Sequence, residues 1–460
     1  MLVLAYLILS SIIAVLEITR KKDAIIDFLT IFNIYYFLFY VLPSLLLAID
    51  LKNAIVLDHW SNMRFNTNNI ETAFAIFIGY FLIIGSFYSK LAKKYGQNII
   101  IKFRRSSTIY IYAIFLCLFA MLALYIATLA FGGIVTAIAK SSAYRSGEES
   151  NGDFGFFTRF LSAATFSCYI LLAYVSTKNY GEWRFPKLFW FIVSFITTFL
   201  GFLTKAGRFN IIAFLLGFYQ IYVLRNKKIP WVTGIVLIIT MSLFLLYGKP
   251  FFASLSALPN GLDAVIESFN EINRSGNREG FNFYEFMNNF YFPVFSLDTA
   301  LTKNGYELRW FSDIIYGLLS LIPKVFLGGV KSPPSILYYN SVYMLGPFDA
   351  EGAAVPTGIL AFGIYSMWWP GLVIICLIYG WIGGLLQTIL NKHLNSVFWM
   401  PHFYTIVAQQ WAIFMTADPE TFLQSQFMLL ISCCFLLLIG CKFDTTKPVR
   451  KYFYQKDYLD

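Results

Sequence analysis

Apolar residues in this chain come in unbroken blocks. They do not alternate as in a half-buried strand, nor do they form the one-sided stripe of a soluble helix. The blocks run to about 17 to 25 residues, the length a helix needs to cross bilayer hydrocarbon with its backbone satisfied internally. They predict about eleven membrane-spanning helices, over 2–18, 25–49, 70–88, 108–131, 158–176, 187–204, 209–224, 230–248, 366–389, 396–416 and 425–440. The expected fold class is therefore all-α, a polytopic integral membrane protein with 1–460 as a single membrane domain. One stretch breaks the rhythm: residues 249–355, between the eighth and ninth helices, far exceed the usual connection of about 2 to 8 residues, and loops of that size are commonly functional. Within it, 284–301 and 308–329 read as amphipathic helices lying along the membrane surface.

Composition supports this reading. Of 460 residues 58% are hydrophobic and 13% charged, where a soluble domain carries about a quarter charged residues. The first block starts at residue 2 without a basic leader and is followed by Arg20, Lys21 and Lys22, which predicts a retained anchor and not a cleaved signal. Charge also assigns sides. The loops at 20–23, 89–107, 177–187, 225–229 and 391–395 and the tail from 441 hold 21 of the 35 Lys and Arg, against five acids. By the positive-inside rule these face the cytoplasm, which puts the N-terminus outside, the C-terminus inside and the long loop on the outer face.

Familiar soluble chemistry is missing. The sequence has no P-loop, dinucleotide fingerprint, H-E-x-x-H or G-x-S-x-G. His59, His393 and His402 are scattered, and the six cysteines sit in or beside apolar blocks without metal-ligand spacing, so neither a metal nor another cofactor is expected. The informative residues are cations near hydrocarbon, where a Lys or Arg costs about 2.5 to 3.5 kcal/mol unless it is paired or lines a wet cavity. Lys205 and Arg208 flank Ala206-Gly207 between two apolar blocks, where Gly207 would allow a close turn offering N–H groups and a helix N-terminus to phosphate. The competing reading has both residues snorkelling to headgroups. Arg145, in Ser142-Ala143-Tyr144-Arg145-Ser146-Gly147, offers a planar fork for phosphate or a partner for Glu148 and Glu149. In the long loop Arg309, Lys324 and Lys331 stand among Tyr306, Trp310, Tyr316, Tyr338, Tyr339 and Tyr343, which are sugar platforms or an ordinary interfacial girdle. Asp349 and Glu351, or His59 on the same side, are the candidate general bases. His402, inside a span, reads as a helix-packing residue, and Gly380 and Gly384 form one G-x-x-x-G that serves internal packing or a dimer.

Taken together, the helix count, Tyr144-Arg145-Ser146-Gly147 after the fourth span, Lys205-Ala206-Gly207-Arg208 at the sixth-to-seventh turn, the long outer loop and its exit through Pro356-Thr357-Gly358, Phe362-Gly363 and Gly371 resemble the Wzy-type oligosaccharide repeat unit polymerases of O-antigen and capsule. The resemblance implies essential arginines in two outer loops, with Arg145, Arg208 and Arg278 in the matching places. It implies glycosyl transfer between polyprenyl-diphosphate-linked oligosaccharides at the outer face of a bacterial inner membrane, without nucleotide or metal. The partners would be membrane lipid and a chain-length regulator protein, with no nucleic acid. An O-antigen ligase, a polysaccharide transporter or flippase, and a membrane acyltransferase are the alternatives.

Overall fold

The computed structural model describes residues 1–22, 24–49, 70–103, 106–146, 152–177, 184–275, 286–287, 290–302, 307–322, 335–346 and 355–444. Nearly all of them are helical. The first half of the chain forms α1 (Leu2–Thr19), α2 (Phe28–Tyr36), which runs through a π-helical turn Phe37–Val41 into α3 (Leu42–Ile49), α4 (Ile70–Phe87), α5 (Lys90–Asn98), strand β1 (Ile100–Phe103), α6 (Ser106–Leu129), α7 (Ile134–Ala139), α8 (Ser141–Ser146), a 3-10 segment Gly152–Leu161, α9 (Ser162–Val175), α10 (Arg184–Leu203) and α11 (Arg208–Asn226). The second half forms α12 (Trp231–Ser254), α13 (Leu262–Ser275), α14 (Phe292–Thr302), α15 (Ser312–Leu319), α16 (Ile336–Leu345), α17 (Gly358–His393), α18 (Met400–Phe414), α19 (Pro419–Gly440) and strand β2 (Cys441–Asp444).

Among the described residues nine helices are long and apolar enough to cross a membrane, which makes this a polytopic membrane bundle. Two expected spans fall outside that set. One is α11, which carries Arg208, Asn210, Gln220 and Arg225 among its apolar residues. The other is α18, whose 15 residues rise only about 22 Å. Most of α18 is buried within the protein, so the neighbouring helices and not lipid set its length.

Aromatic packing and close glycine contacts hold the centre. Tyr379 and Trp411 stack with centroids 4.6 Å apart, and each ring's polar atom bonds the other's backbone, Tyr379 Oη to the Trp411 carbonyl at 2.8 Å and Trp411 Nε1 to the Tyr379 carbonyl at 3.2 Å. A buried aromatic thus keeps its polar handle satisfied. A Cβ at Gly380 or Gly384 would come within 2.3 or 2.2 Å of the Ile83 or Phe87 carbonyl oxygen. The G-x-x-x-G therefore packs α17 on α4 within one chain.

Cross-links between helices define two ends of the bundle. At one, β1 pairs antiparallel with β2, Ile100 opposite Asp444, while Lys392 Nζ donates to the Gln97 carbonyl and Arg225 to that of Ser176. These are the stretches that the charge count groups together. At the other end Lys205 Nζ donates to the Thr158 carbonyl, and Arg159 to that of Ser320.

The segment before and within α17 departs from the sequence expectation of helices lying on a membrane surface. Helix α14 is buried at every position from Pro293 to Leu301. Helix α17 breaks at Met367 and Trp368, and a Cβ at Gly371 would meet the Gly363 carbonyl at 2.1 Å, so the chain doubles back on itself there. Its first arm, 358–366, is completely buried and begins inside the bundle: Gly358, at φ +68°, lies against Tyr40 of the π-helical turn, and Ile359 N donates to the Met415 carbonyl at 2.9 Å. Only glycine takes that φ without strain. A hydrogen-bonded core fixes the arrangement: Asn340 Nδ2 donates to Ser296 Oγ and to the Val355 carbonyl, both at 2.8 Å, and Tyr365 Oη donates to Asn340 Oδ1. Helix α15 does keep the expected amphipathic character, with Asp313 and Gly317 buried and Ile315 and Leu318 exposed.

Candidate functional site

The end marked by Lys205 gathers the polar chemistry. The turn from α10 to α11 closes with Gly207 N on the Phe202 carbonyl at 3.0 Å and Arg208 N on that of Ala206 at 3.1 Å. Ala206, not Gly207, takes the left-handed conformation, at φ +47°. With Lys205 N and Ala206 N also bonded internally, the turn presents no row of N–H groups to an anion, contrary to the expectation from Gly207. What the turn does is send two cations apart. Lys205 reaches toward the 3-10 segment Gly152–Leu161, while Arg208 lies along α12, its Cδ against Gly248 and its guanidinium 3.5 Å from the Leu245 carbonyl.

Beside Lys205 is a cavity with about 90 Å³ of water-accessible volume, enough for roughly three waters. Its polar wall includes Lys205, Asn210, Gln409, Gln410, Ser425 and Gln426. Burial of the Lys205 ammonium, with Arg159 nearby, lowers its pKa to about 8. Among the described residues no carboxylate pairs with this ammonium, and an incoming anion would relieve its desolvation cost.

Arg159 links this cavity to a second wall. Its guanidinium donates to the Ser320 carbonyl just after α15 and lies over the Phe156 ring at 5.5 Å. Gln424 bridges Ser320 Oγ at 3.1 Å and Glu420 at 3.2 Å. On α15 Asp313, fully buried, receives Nε and Nη2 of Arg309 at 2.7 and 2.6 Å and the Ile336 N–H at 3.2 Å. Burial works against the Arg309 charge, but Asp313 more than reverses this and holds the guanidinium above the ordinary arginine value. The backbone at Arg309 is pinned by the break in α17, since Arg309 N and Trp310 N donate to the Tyr365 and Ser366 carbonyls at 3.1 and 2.8 Å. Pro370 has no N–H to offer Ser366, which leaves that carbonyl for the loop.

Arg309 then lines a cleft of about 190 Å³ with Tyr316, Tyr339, Tyr343 and Tyr365, its guanidinium 4.7 Å from the Tyr339 ring centre. A cation set among aromatic faces is suited to a sugar phosphate. Near the same wall Asp418 caps α19, its Oδ1 accepting from Thr421 N at 2.8 Å. Its Oδ2 accepts no hydrogen bond among the described residues, and burial raises its pKa.

Of the residues singled out by sequence, the structure brings Lys205, Arg309, Tyr316 and Tyr339 to this end and turns Arg208 toward α12. Trp310 and Tyr338 are 66% and 47% exposed and form no part of the cleft wall. Arg145 lies on α8 with its side chain outside the description, and His59, Arg278, Lys324, Lys331, Asp349 and Glu351 lie outside the described residues. Tyr343, also expected from sequence, lines the cleft, whereas Arg159, Asp418 and Tyr365 join the site from structure alone; Arg159 is hidden in sequence by the apolar run around it. No group of three or more His, Cys, Asp or Glu among the described residues has the geometry of a metal site. Comparison with family models, with curated proteins and with solved structures finds no match to this chain.

Proposed function

We propose that this chain is a membrane glycosyltransferase of the Wzy type, which polymerises polyprenyl-diphosphate-linked oligosaccharide repeat units into O-antigen or capsular polysaccharide. The observation that carries the proposal is the wall of Lys205, Arg159 and Arg309 beside a tyrosine cleft, at the end of the bundle opposite the basic loops. With those loops in the cytoplasm, the wall faces the outer side of a bacterial inner membrane.

In the proposed reaction an acceptor hydroxyl attacks the anomeric carbon of the donor saccharide. The bond from that carbon to the diphosphate oxygen breaks, and the diphosphate leaves with the electron pair. Lys205 and Arg159 stabilise the charge as it builds, fixed donors in a site screened from bulk water. The acceptor proton passes to a carboxylate or imidazole. Asp349, Glu351 and His59 are candidates from sequence; of the described carboxylates, Glu307 lines the tyrosine cleft and Asp418 lies near the wall with an oxygen that accepts no hydrogen bond among the described residues. Tyr316, Tyr339, Tyr343 and Tyr365 offer stacking faces to the sugar rings.

The break in α17 and its buried first arm favour a second reading, export of the same lipid-linked saccharide, because discontinuous helices are characteristic of transporters. One experiment separates the readings: deletion of the gene, with surface glycan resolved on a gel. Polymerisation predicts loss of the ladder with single repeat units still displayed. Complete absence of capped lipid overturns it in favour of a transporter or ligase. Complementation with Lys205→Ala should fail to restore the ladder while the protein still inserts.

A further inference from the structure

On the other side of the α18–α19 seam from the Lys205 cavity runs an apolar groove of about 660 Å³, bounded by α17 and α19 and floored by α18. Gln410 and Leu429 line both spaces. Gln410 is the one amide in a groove wall that is otherwise aliphatic, aromatic and thiol, and its Oε1 is buried without a hydrogen-bond partner among the described residues. We infer that the groove holds the hydrocarbon chain of a phosphate-headed polyprenyl lipid whose head lies in the Lys205 cavity, the molecule passing through the seam at Gln410.

Two features select this occupant. The first is charge: the cavity that shares Gln410 and Leu429 with the groove contains Lys205, with Arg159 beyond, which suits a phosphate, and no carboxylate among the described residues lines it to hold the positive choline or ethanolamine of a zwitterionic lipid. The second is length. On α19 the groove runs from Phe422 to Leu437, about 22 Å of helix, and it ends beside Ile99 near the β1–β2 end of the bundle. Half of a hydrocarbon core of about 30 Å is about 15 Å, the reach of an ordinary acyl chain in its own leaflet. A chain filling this groove passes the midplane, as a long polyprenyl chain does.

The inference rests on the proposed reading of Lys205 as a phosphate contact. Its test uses the full chain in phosphatidylcholine nanodiscs and two photoactivatable probes, a long-chain polyprenyl phosphate and a phosphatidylcholine, each with a diazirine near the tail end. The polyprenyl probe should label peptides containing Val407 and Leu430 at least about tenfold over the lipid-facing side of α12, a ratio set by the charged contact at the head. The phosphatidylcholine probe should label both surfaces alike. Lys205→Ala and Leu430→Trp should each abolish the preference, whereas Ile239→Trp, on the exposed face of α12, should keep it. Equal labelling of α12 by the polyprenyl probe, groove labelling by phosphatidylcholine as strong, or a preference that survives Lys205→Ala overturns the inference. Groove labelling with an intact glycan ladder in the deletion strain would leave the groove and sink polymerisation; ladder loss with uniform labelling would do the reverse.

Discussion

The two ends of the bundle both bury charge, but they treat it differently. At the end near β1 and β2, Arg20 is only 5% exposed and holds Asp27 through two contacts of 2.6 Å while also donating to Glu17 at 3.0 Å. Lys22 adds a contact to Glu17 at 2.5 Å, Thr30 binds both carboxylates, and Asn33 donates to Glu17 at 2.9 Å. Two cations meet two carboxylates, and the polar neighbours fill the remaining positions. At the other end Arg309 is likewise paired with buried Asp313, but Lys205 meets a backbone carbonyl beside a cavity, and among the described residues one oxygen of Asp418 and the amide oxygen of Gln410 accept no hydrogen bond. Matched charges tie α1 to α2 and Arg309 to α15; Lys205 and its cavity leave capacity for something the protein binds.

Substitutions can break that contrast. The largest loss is expected for Arg20→Ala, which strands Asp27 without its cation; removing one partner of a buried pair costs about 3 to 5 kcal/mol. Thermal unfolding in detergent should show it, with a much lower midpoint or no folded material. Next comes Lys205→Ala, which should leave that midpoint unchanged or slightly raised, since it removes a desolvated charge, while lowering polymerisation about 10²- to 10³-fold, the usual cost of losing one donor to developing charge. A large loss of stability in Lys205→Ala would erase the difference between the two ends.

Acidity sharpens the comparison. Because the folded-state pKa of Lys205, about 8, lies below the ordinary lysine value, protonation is disfavoured by folding. Its contribution to stability is therefore most unfavourable below about 8 and is relieved as pH climbs toward the ordinary lysine value, where the unfolded chain binds the extra proton. Anion binding has the opposite sign: full when Lys205 is charged, and falling as pH rises through about 8. A binding titration should show that decline, and Lys205→Arg should remove it. The smallest effect belongs to Tyr339→Ala, which takes an aromatic face from Arg309 and the cleft; a loss of about 0.5 to 2 kcal/mol, or a few-fold to about thirtyfold in KM, should appear in a substrate titration.

Much of the bundle is legible in the sequence because lipid imposes one simple rule on length and polarity. The expected spans at 2–18 and 70–88 correspond to Leu2–Thr19 and Ile70–Phe87. Helix α14 and the first arm of α17 escape that rule. Too short to cross, the first reads as a surface element and the second as the loop's exit before the ninth span, and only the walls supplied by α2, α4 and α16 bury them on every side. The cations show the same limit. Lys205 and Arg208 are three residues apart yet serve different neighbours, and Arg159, in the apolar run Phe156–Leu161, is drawn to Lys205 and Ser320 by tertiary packing alone. The left-handed turn conformation falls on Ala206, while Gly207 serves close packing, since a Cβ there would lie 2.9 Å from Asn210 Nδ2.

The central claim is that the charge wall at Lys205 acts on a departing lipid diphosphate. It is tested most directly by reconstituting the purified chain in proteoliposomes with a lipid-linked repeat unit as the only substrate. The account predicts a polymer ladder without nucleotide, fading above about pH 8 and lost in Lys205→Ala. An undiminished ladder from Lys205→Ala would contradict it.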